Sequence, residues 1–308
     1  MQGLKKRKTI TNPGASIRAK LYNVARKTGR DFDSLLLQYF QERFLYRLSI
    51  SQFRKNFILK GALLFLAYKM PLLRPTKDMD FLSRSIANDQ EKIKSIIGQV
   101  ANIDAMDGVS FVIASISAER IIENADYGGI RVKIEAVLDN ARKVLQLDIG
   151  FGDIVVEGPI EMDFPILLEE QSVPHLQVYS KESAIAEKFE ALVKLNILSS
   201  RMKDIYDILF ITANESFNLK TMHKAILETF RNRETPLNDR ISIFTEEFKH
   251  SKEKQTQWSA FLRRSRLDSF KSFAEAVEHL ELFIEPVCGK LLLSKHDIIW
   301  KPEVWEWQ

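Results

Sequence analysis

Hydrophobic positions change their spacing along the chain. Leu36, Tyr39, Phe40, Phe44 and Leu48 recur at three- and four-residue intervals, which predicts a helix from about Asp33 to Leu48. Ser16 is placed to cap an earlier helix over Ile17–Lys27, closed by Gly29. The stretch FILKGALLFLAYKMPLLRPTKDMDFL, Phe57 to Leu82, reads differently. A short apolar run ends in Lys60-Gly61-Ala62, an apolar segment follows, then a polar bend with Arg74 and Pro75, then a second apolar run holding Asp78-Met79-Asp80. This order predicts strand, tight turn, helix, strand. Asn88 to Asn102 reads as an amphipathic helix and Val109 to Ser117 as a strand. Ile130, Val132, Ile134, Ala136 and Leu138 alternate with Arg131, Lys133, Glu135 and Val137, the pattern of a half-buried strand, after a turn at Tyr127-Gly128-Gly129. In the next strand, Val144 to Gly152, Leu145, Leu147, Ile149 and Phe151 share one face, and Gln146 and Asp148 the other. Pro159 to Pro174 holds three prolines and predicts a linker. From Ser183 the period is helical almost to the end, where Lys290 to Gln308 adds a short extension with Trp300, Trp305 and Trp307.

Composition narrows this picture without changing it. The chain has 308 residues, 45% hydrophobic and 28% charged, an ordinary globular balance with material for two domains. The net charge of +4 permits an anionic partner without demanding one. Basic residues cluster at Lys5, Lys6, Arg7 and Lys8 and again at Arg263, Arg264 and Arg266; such clusters are solvated faces or phosphate contacts. The single Cys288 excludes an internal disulfide and a cysteine metal site and fits a reducing cytoplasm. No signal peptide and no membrane-length apolar run is read, so a cytoplasmic protein without membrane association is expected, with a monomer as the default.

The chemistry starts at Asp78 and Asp80. On a strand they point the same way, about 7 Å apart, and repel. A hard divalent cation such as Mg²⁺ relieves that repulsion and favours carboxylates combined with substrate phosphates. The Gly61-Ala62 turn frees backbone N–H groups at a helix start, where phosphate binds. Asp148 is a third carboxylate on a strand beside glycines, as two-metal phosphoryl transfer requires; Asp153 is a second candidate, expected in a loop. Arg43 and Arg47, four apart on one helix face, either make structural ion pairs or reach a phosphate.

Two further charges sit on apolar faces. In the helix Ser183–Leu198, Ile185, Phe189, Leu192, Val193 and Leu195 form an apolar arc, and Lys188 falls inside it. In Arg201–Ile211, Asp204 lies between Ile208 and Ile211, with Asp207 at the arc's edge. Lys188 and Asp204 either form a buried ion pair or line a cleft against the aspartate strands. In the second case the lysine holds a triphosphate, and the aspartate orients it or acts as a base.

The segments FILKGALLF, LRPTKDMDFL, LQLDIGFGD, AIAEKFEALV and SRMKDIYDILF, in this order, resemble the AbiEii/AbiGii type nucleotidyltransferases, toxins of type IV toxin–antitoxin and phage-defence (abortive infection) pairs. The resemblance covers nearly the whole chain. It implies an α/β (α+β) DNA-polymerase-β-like nucleotidyltransferase domain over 51–165, an N-terminal helical segment over 1–50 and a C-terminal helical domain over 166–308. It also implies Mg²⁺ held by Asp78, Asp80 and Asp148, with Lys188 and Asp204 as the family's catalytic lysine and late aspartate. The NTP would be bound by Lys60, Gly61, Ala62, Arg74, Thr76 and Lys188, the acceptor would be an RNA such as a tRNA 3′ end, and a cognate antitoxin is a possible partner. One departure stands out: the turn is Gly-Ala where many such enzymes have Gly-Ser or Gly-Gly. Ala62 offers no hydroxyl, so phosphate contacts must come from backbone N–H groups, Thr76 or Lys60. Two other classes are compatible with the same residues: a non-enzymatic RNA- or partner-binding protein on a degenerate nucleotidyltransferase scaffold, and a phosphodiester hydrolase.

Overall fold

The computed structural model describes residues 13–70, 76–123, 127–195, 201–267, 270, 272–289 and 297–308. The basic cluster Lys5–Lys8 and Arg74 lie outside these. The chain divides into two compact units.

The first unit is built on one mixed sheet. Helices α1 (Pro13–Thr28) and α2 (Phe32–Ile50) come first, then β1 (Phe57–Lys60), α3 (Leu63–Ala67), β2 (Asp78–Ser83), α4 (Gln90–Ala101), β3 (Val109–Glu123), β4 (Tyr127–Leu138) and β5 (Ala141–Phe151). Strands β6 (Ile160–Asp163) and β7 (His175–Val178) complete the order β3-β4-β5-β2-β1-β7-β6. The first helix begins at Pro13 rather than after Ser16: proline's fixed φ and missing N–H suit the first helical turn. Gly29 closes it with φ of +67°, as expected. Asp31 caps α2 by accepting from the Ser34 amide. The proline-rich stretch after Gly158 is not a free linker. It carries β6 and is tied to α2, where Glu42 accepts from the Leu167 amide (2.7 Å) and Arg43 donates to the Ser172 carbonyl (3.0 Å).

Alternation decides the two faces of the sheet. Leu59, Met79, Phe81, Ile130, Val132, Ile134, Leu145, Leu147 and Ile149 are buried on one side. Lys60, Asp78, Asp80, Arg131, Gln146 and Asp148 are half-buried on the other.

Helix α2 is enclosed almost all round, including its charges. Arg47 grips Asp107 through two bonds, 2.6 and 3.0 Å, and donates to the carbonyls of Ile103 and Val109. Arg43 pairs with Glu42 at 2.7 Å. These two arginines are therefore structural. Burial pushes the Glu42 carboxyl up to about 7, against the lowering effect of Arg43 and the Leu167 amide. An acid whose folded value is raised stabilises the fold fully below its unfolded value and loses that contribution as pH rises through the folded one. Between the ordinary 4.5 and about 7, ionising Glu42 costs roughly 3 kcal/mol. Replacing it by glutamine is expected to flatten this part of the stability profile, read as melting temperature against pH for both proteins. Parallel profiles would contradict the assignment.

The second unit is helical with a small sheet. It contains α5 (Lys181–Leu195), α6 (Met202–Asn214), β8 (Phe217–Asn218), α7 (Leu219–Asn232), a 3-10 segment Leu237–Phe244, α8 (Glu246–Lys249), α9 (Lys252–Ser265), α10 (Phe273–Cys288), β9 (Ile299–Lys301) and β10 (Glu306–Trp307). Asn218, Ser251 and Ser272 cap α7, α9 and α10. The tryptophan-bearing end belongs to the core. Trp300 is fully buried and donates to the Thr212 carbonyl, and Trp307 donates to that of Phe283. No described helix is long and apolar enough to cross a membrane.

Candidate active site

Strand pairing aligns charged residues across the polar face of the first unit's sheet. Asp80 lies opposite Lys60 on antiparallel β1 and beside Asp148 on parallel β5. Asp148 in turn faces Arg131 on β4, which faces Glu119 on β3. The row reads Lys60, Asp80, Asp148, Arg131, Glu119. In-register neighbours share a face, so Asp78, two residues from Asp80, joins the same side next to Gln146.

The turn after β1 is shaped around Asp80. Gly61 has φ of +69°, and a Cβ there would lie 1.9 Å from Asp80 Oδ2 and 2.6 Å from its Cγ. Glycine is required twice, for the left-handed backbone and for the approach of the carboxylate. Ala62 follows in helical conformation, without a side-chain cap, at the start of the short α3. Gly61→Ala is expected to cost about 2 kcal/mol from backbone strain alone, more if Asp80 cannot turn aside. Urea unfolding checks it, and an unchanged midpoint would deny the close approach. Thr76 is part of the lead-in to β2: its hydroxyl donates to the Asp78 carbonyl at 3.3 Å, and its own carbonyl accepts from Gln41 at 3.3 Å.

Asp148 does not stand open. Arg131 Nε and Nη2 hold its two oxygens at 2.8 and 2.7 Å, and Gln146 Nε2 reaches one of them at 3.3 Å. The Arg131 guanidinium is held firmly protonated, chiefly by that bidentate bond, with the charges of Asp78 and Glu119 adding to it. Among the described residues no three His, Cys, Asp or Glu side chains converge closely enough to hold a cation. Mg²⁺ does not need three: it is bound through one or two carboxylates, with water and phosphate filling the octahedron. The half-buried Asp78 and Asp80 present two carboxylates on one face, a donor set that fits that ion, while Asp148 is bound by Arg131. Arg131 itself was invisible as a site residue in the strand pattern, where it is one polar position among several.

In the second unit, Lys188 Nζ lies 3.0 Å from Asp204 Oδ1 and 2.8 Å from Asp207 Oδ2. The inward lysine and aspartate do form a buried ion pair, and Asp207 completes it. Burial works to lower the Lys188 value, but the Asp207 and Asp204 charges outweigh it and raise it. Asp204 is also 3.1 Å from Arg201, and despite burial its value is lowered by Lys188 and Arg201. Asp153 is a loop residue, as expected, and belongs to a different network: Arg233 binds it at 2.8 Å together with Glu190 at 2.9 Å.

Comparison with known proteins gives one family. The model of the AbiEii nucleotidyl transferase toxins, type IV toxin–antitoxin system, matches residues 43–279. No curated protein matches the chain. Two crystal structures from Helicobacter pylori are similar. JHP933 has 13% identity, covering 84% of this chain and 99% of that one, with a TM-score of 0.41. A candidate nucleotidyltransferase has 14% identity, covering 82% and 99%, with a TM-score of 0.41.

Proposed function

Because the chain belongs to the AbiEii nucleotidyl transferase toxin family of type IV toxin–antitoxin systems, we propose that it transfers NMP from an NTP to a hydroxyl of an RNA acceptor, such as a tRNA 3′ end, with pyrophosphate leaving, and that a cognate antitoxin restrains it in the cytoplasm. The observation that carries this reading is the in-register placing of Asp80 between Lys60 and Asp148, with Asp78 on the same face.

Each residue then has a part. Asp78 and Asp80 would hold Mg²⁺, which supplies charge neutralisation at the triphosphate and activation of the acceptor hydroxyl. Gly61 and Ala62 offer backbone N–H groups at the turn, and Lys60 and Thr76 stand on either side of it in the sequence. Arg74 belongs to the same proposed nucleotide-binding set. By its match to the family's catalytic lysine, Lys188 would supply a cation for phosphate charge, the established use of one in phosphoryl transfer. Asp204 holds the ammonium in place. Arg131 holds Asp148 in orientation through its two bonds; on release it leaves a carboxylate already facing Asp80.

A labelling assay tests the proposal. The protein is incubated with Mg²⁺, total cellular RNA and each of the four α-³²P NTPs in turn. Label in a tRNA-sized band is expected with one preferred nucleotide. Shortening of RNA without labelling would instead indicate hydrolysis, and no label in any macromolecule would overturn the transferase reading.

A further inference from the structure

The second unit contains a cavity of about 520 Å³ between the start of α6 and the last turns of α9. Its volume suits a nucleotide-sized ligand. Arg201, Lys203 and Arg264 give it a cationic wall, while Met202, Ala260 and Phe261 supply apolar surface. Lys203 and Arg264 are exposed. Among the described residues neither makes an ion pair. Gln257 lines it as well. Gln257 spends its amide Nε2 on Glu253 (2.9 Å), and its Oε1 is buried without a hydrogen bond. A buried acceptor left in this state costs free energy until a donor arrives.

We propose that this cavity is a binding site for a ribonucleotide unit of the acceptor RNA strand. The cations would take the backbone phosphates, the apolar floor would take a base face, and Gln257, on turning its buried Oε1 out to the ligand, would accept from a ribose 2′-hydroxyl, the donor that distinguishes RNA from DNA. A bare inorganic anion would use the cations and leave Gln257 unsatisfied; a ribonucleotide uses both. The inference rests on the transferase reading for the identity of the RNA as acceptor, but binding itself does not depend on turnover.

The test is fluorescence anisotropy with a labelled single-stranded RNA of mixed sequence, and DNA of the same sequence, in the absence of NTP. The wild-type chain is expected to prefer the RNA. The double variant Lys203→Gln, Arg264→Gln should bind it roughly tenfold more weakly, with the slope of log K against log salt reduced by about 1.4, two single-strand phosphate contacts' worth. Its melting shift with Mg²⁺ and NTP should stay as in wild type. Gln257→Leu should bring RNA and DNA affinity together without lowering the melting temperature. Unchanged RNA binding in the double variant overturns the proposal. So does loss of the NTP-induced shift with RNA binding intact, which would give the cavity to the triphosphate. Absence of RNA binding by the wild type also overturns it and leaves transfer to another acceptor standing. RNA binding as expected, with no labelling of any macromolecule, would remove the transferase reading and keep the cavity.

Discussion

Asp80→Asn is expected to abolish nucleotide transfer, by on the order of 10³-fold, in a chain that still unfolds in one cooperative step. The substitution keeps the side chain's size beside Gly61, where there is no room for more, and removes one of the two charges that would hold the cation. It also takes a negative charge from the face shared with Asp78 and Asp148, so repulsion there falls, while Lys60 opposite loses a neighbouring negative charge. The measurement is turnover with labelled NTP alongside a thermal melt of the same preparation. Full activity would remove Asp80 from the site. Lost activity with a collapsed melt would make it a structural residue.

Lys188→Met is expected to be the most destabilising of the substitutions considered. It takes the shared ammonium from Asp204 and Asp207, whose side chains are 4% and 3% exposed, and leaves Arg201 and the charge of Lys203 to act on Asp204. Removing one member of a buried ion pair costs about 3–5 kcal/mol. The pH dependence has a definite sign. In the wild type the Lys188 value is raised, so its contribution is complete below 10.5 and is lost only as pH climbs past that. The Asp204 value is lowered, so its contribution is present above 3.8 and is lost as pH falls through the folded value. Lys188 and Asp204 are thus both charged around neutrality. In the variant Asp204 has lost the cation that chiefly lowers its value, and the deficit in melting temperature should narrow from pH 7 toward pH 5. A second variant separates packing from chemistry: Lys188→Met with Asp207→Asn should recover part of the stability and none of the transfer. Wild-type melting of the single variant would show that the cluster carries no stability, and recovered transfer in the double variant would deny Lys188 a chemical part.

Much of the candidate site was legible because β-strands write their faces in alternate letters. Asp78, Asp80 and Asp148 are polar letters inside apolar runs, and their common face follows from that alone. Lys188 and Asp204 were legible for the opposite reason, as charges inside an apolar helical arc. Arg131 was not, because its role depends on register. The hairpin between β4 and β5 turns on Asp139–Asn140, with Asp139 at φ of +55°, and counting back from that turn brings Arg131 opposite Asp148. Two-residue turns built on such residues are a known hairpin signal, but the strand pattern alone begins at Val144 and passes over it. The length of β3 was obscured by an irregularity in its pairing between Val112 and Ser117, which breaks the alternation that would have extended it to Glu123. The tryptophans of the chain's end looked like an appendage because their partners, Thr212 and Phe283, are distant in sequence.

The parallel pairing of β2 with β5 has a consequence for how such a protein comes into being. Asp80 meets Asp148 only after the β3-β4-β5 meander has been made and folded, and β1 is flanked on its other side by β7, later still. Contacts so far apart along the chain form slowly and late. During synthesis the strand bearing Asp78 and Asp80 therefore leaves the ribosome well before the strands on either side of its sheet neighbours exist. A nascent or truncated chain has the aspartates without the surface that aligns them. On the proposed function, activity would therefore have to wait for the sheet to close around β2.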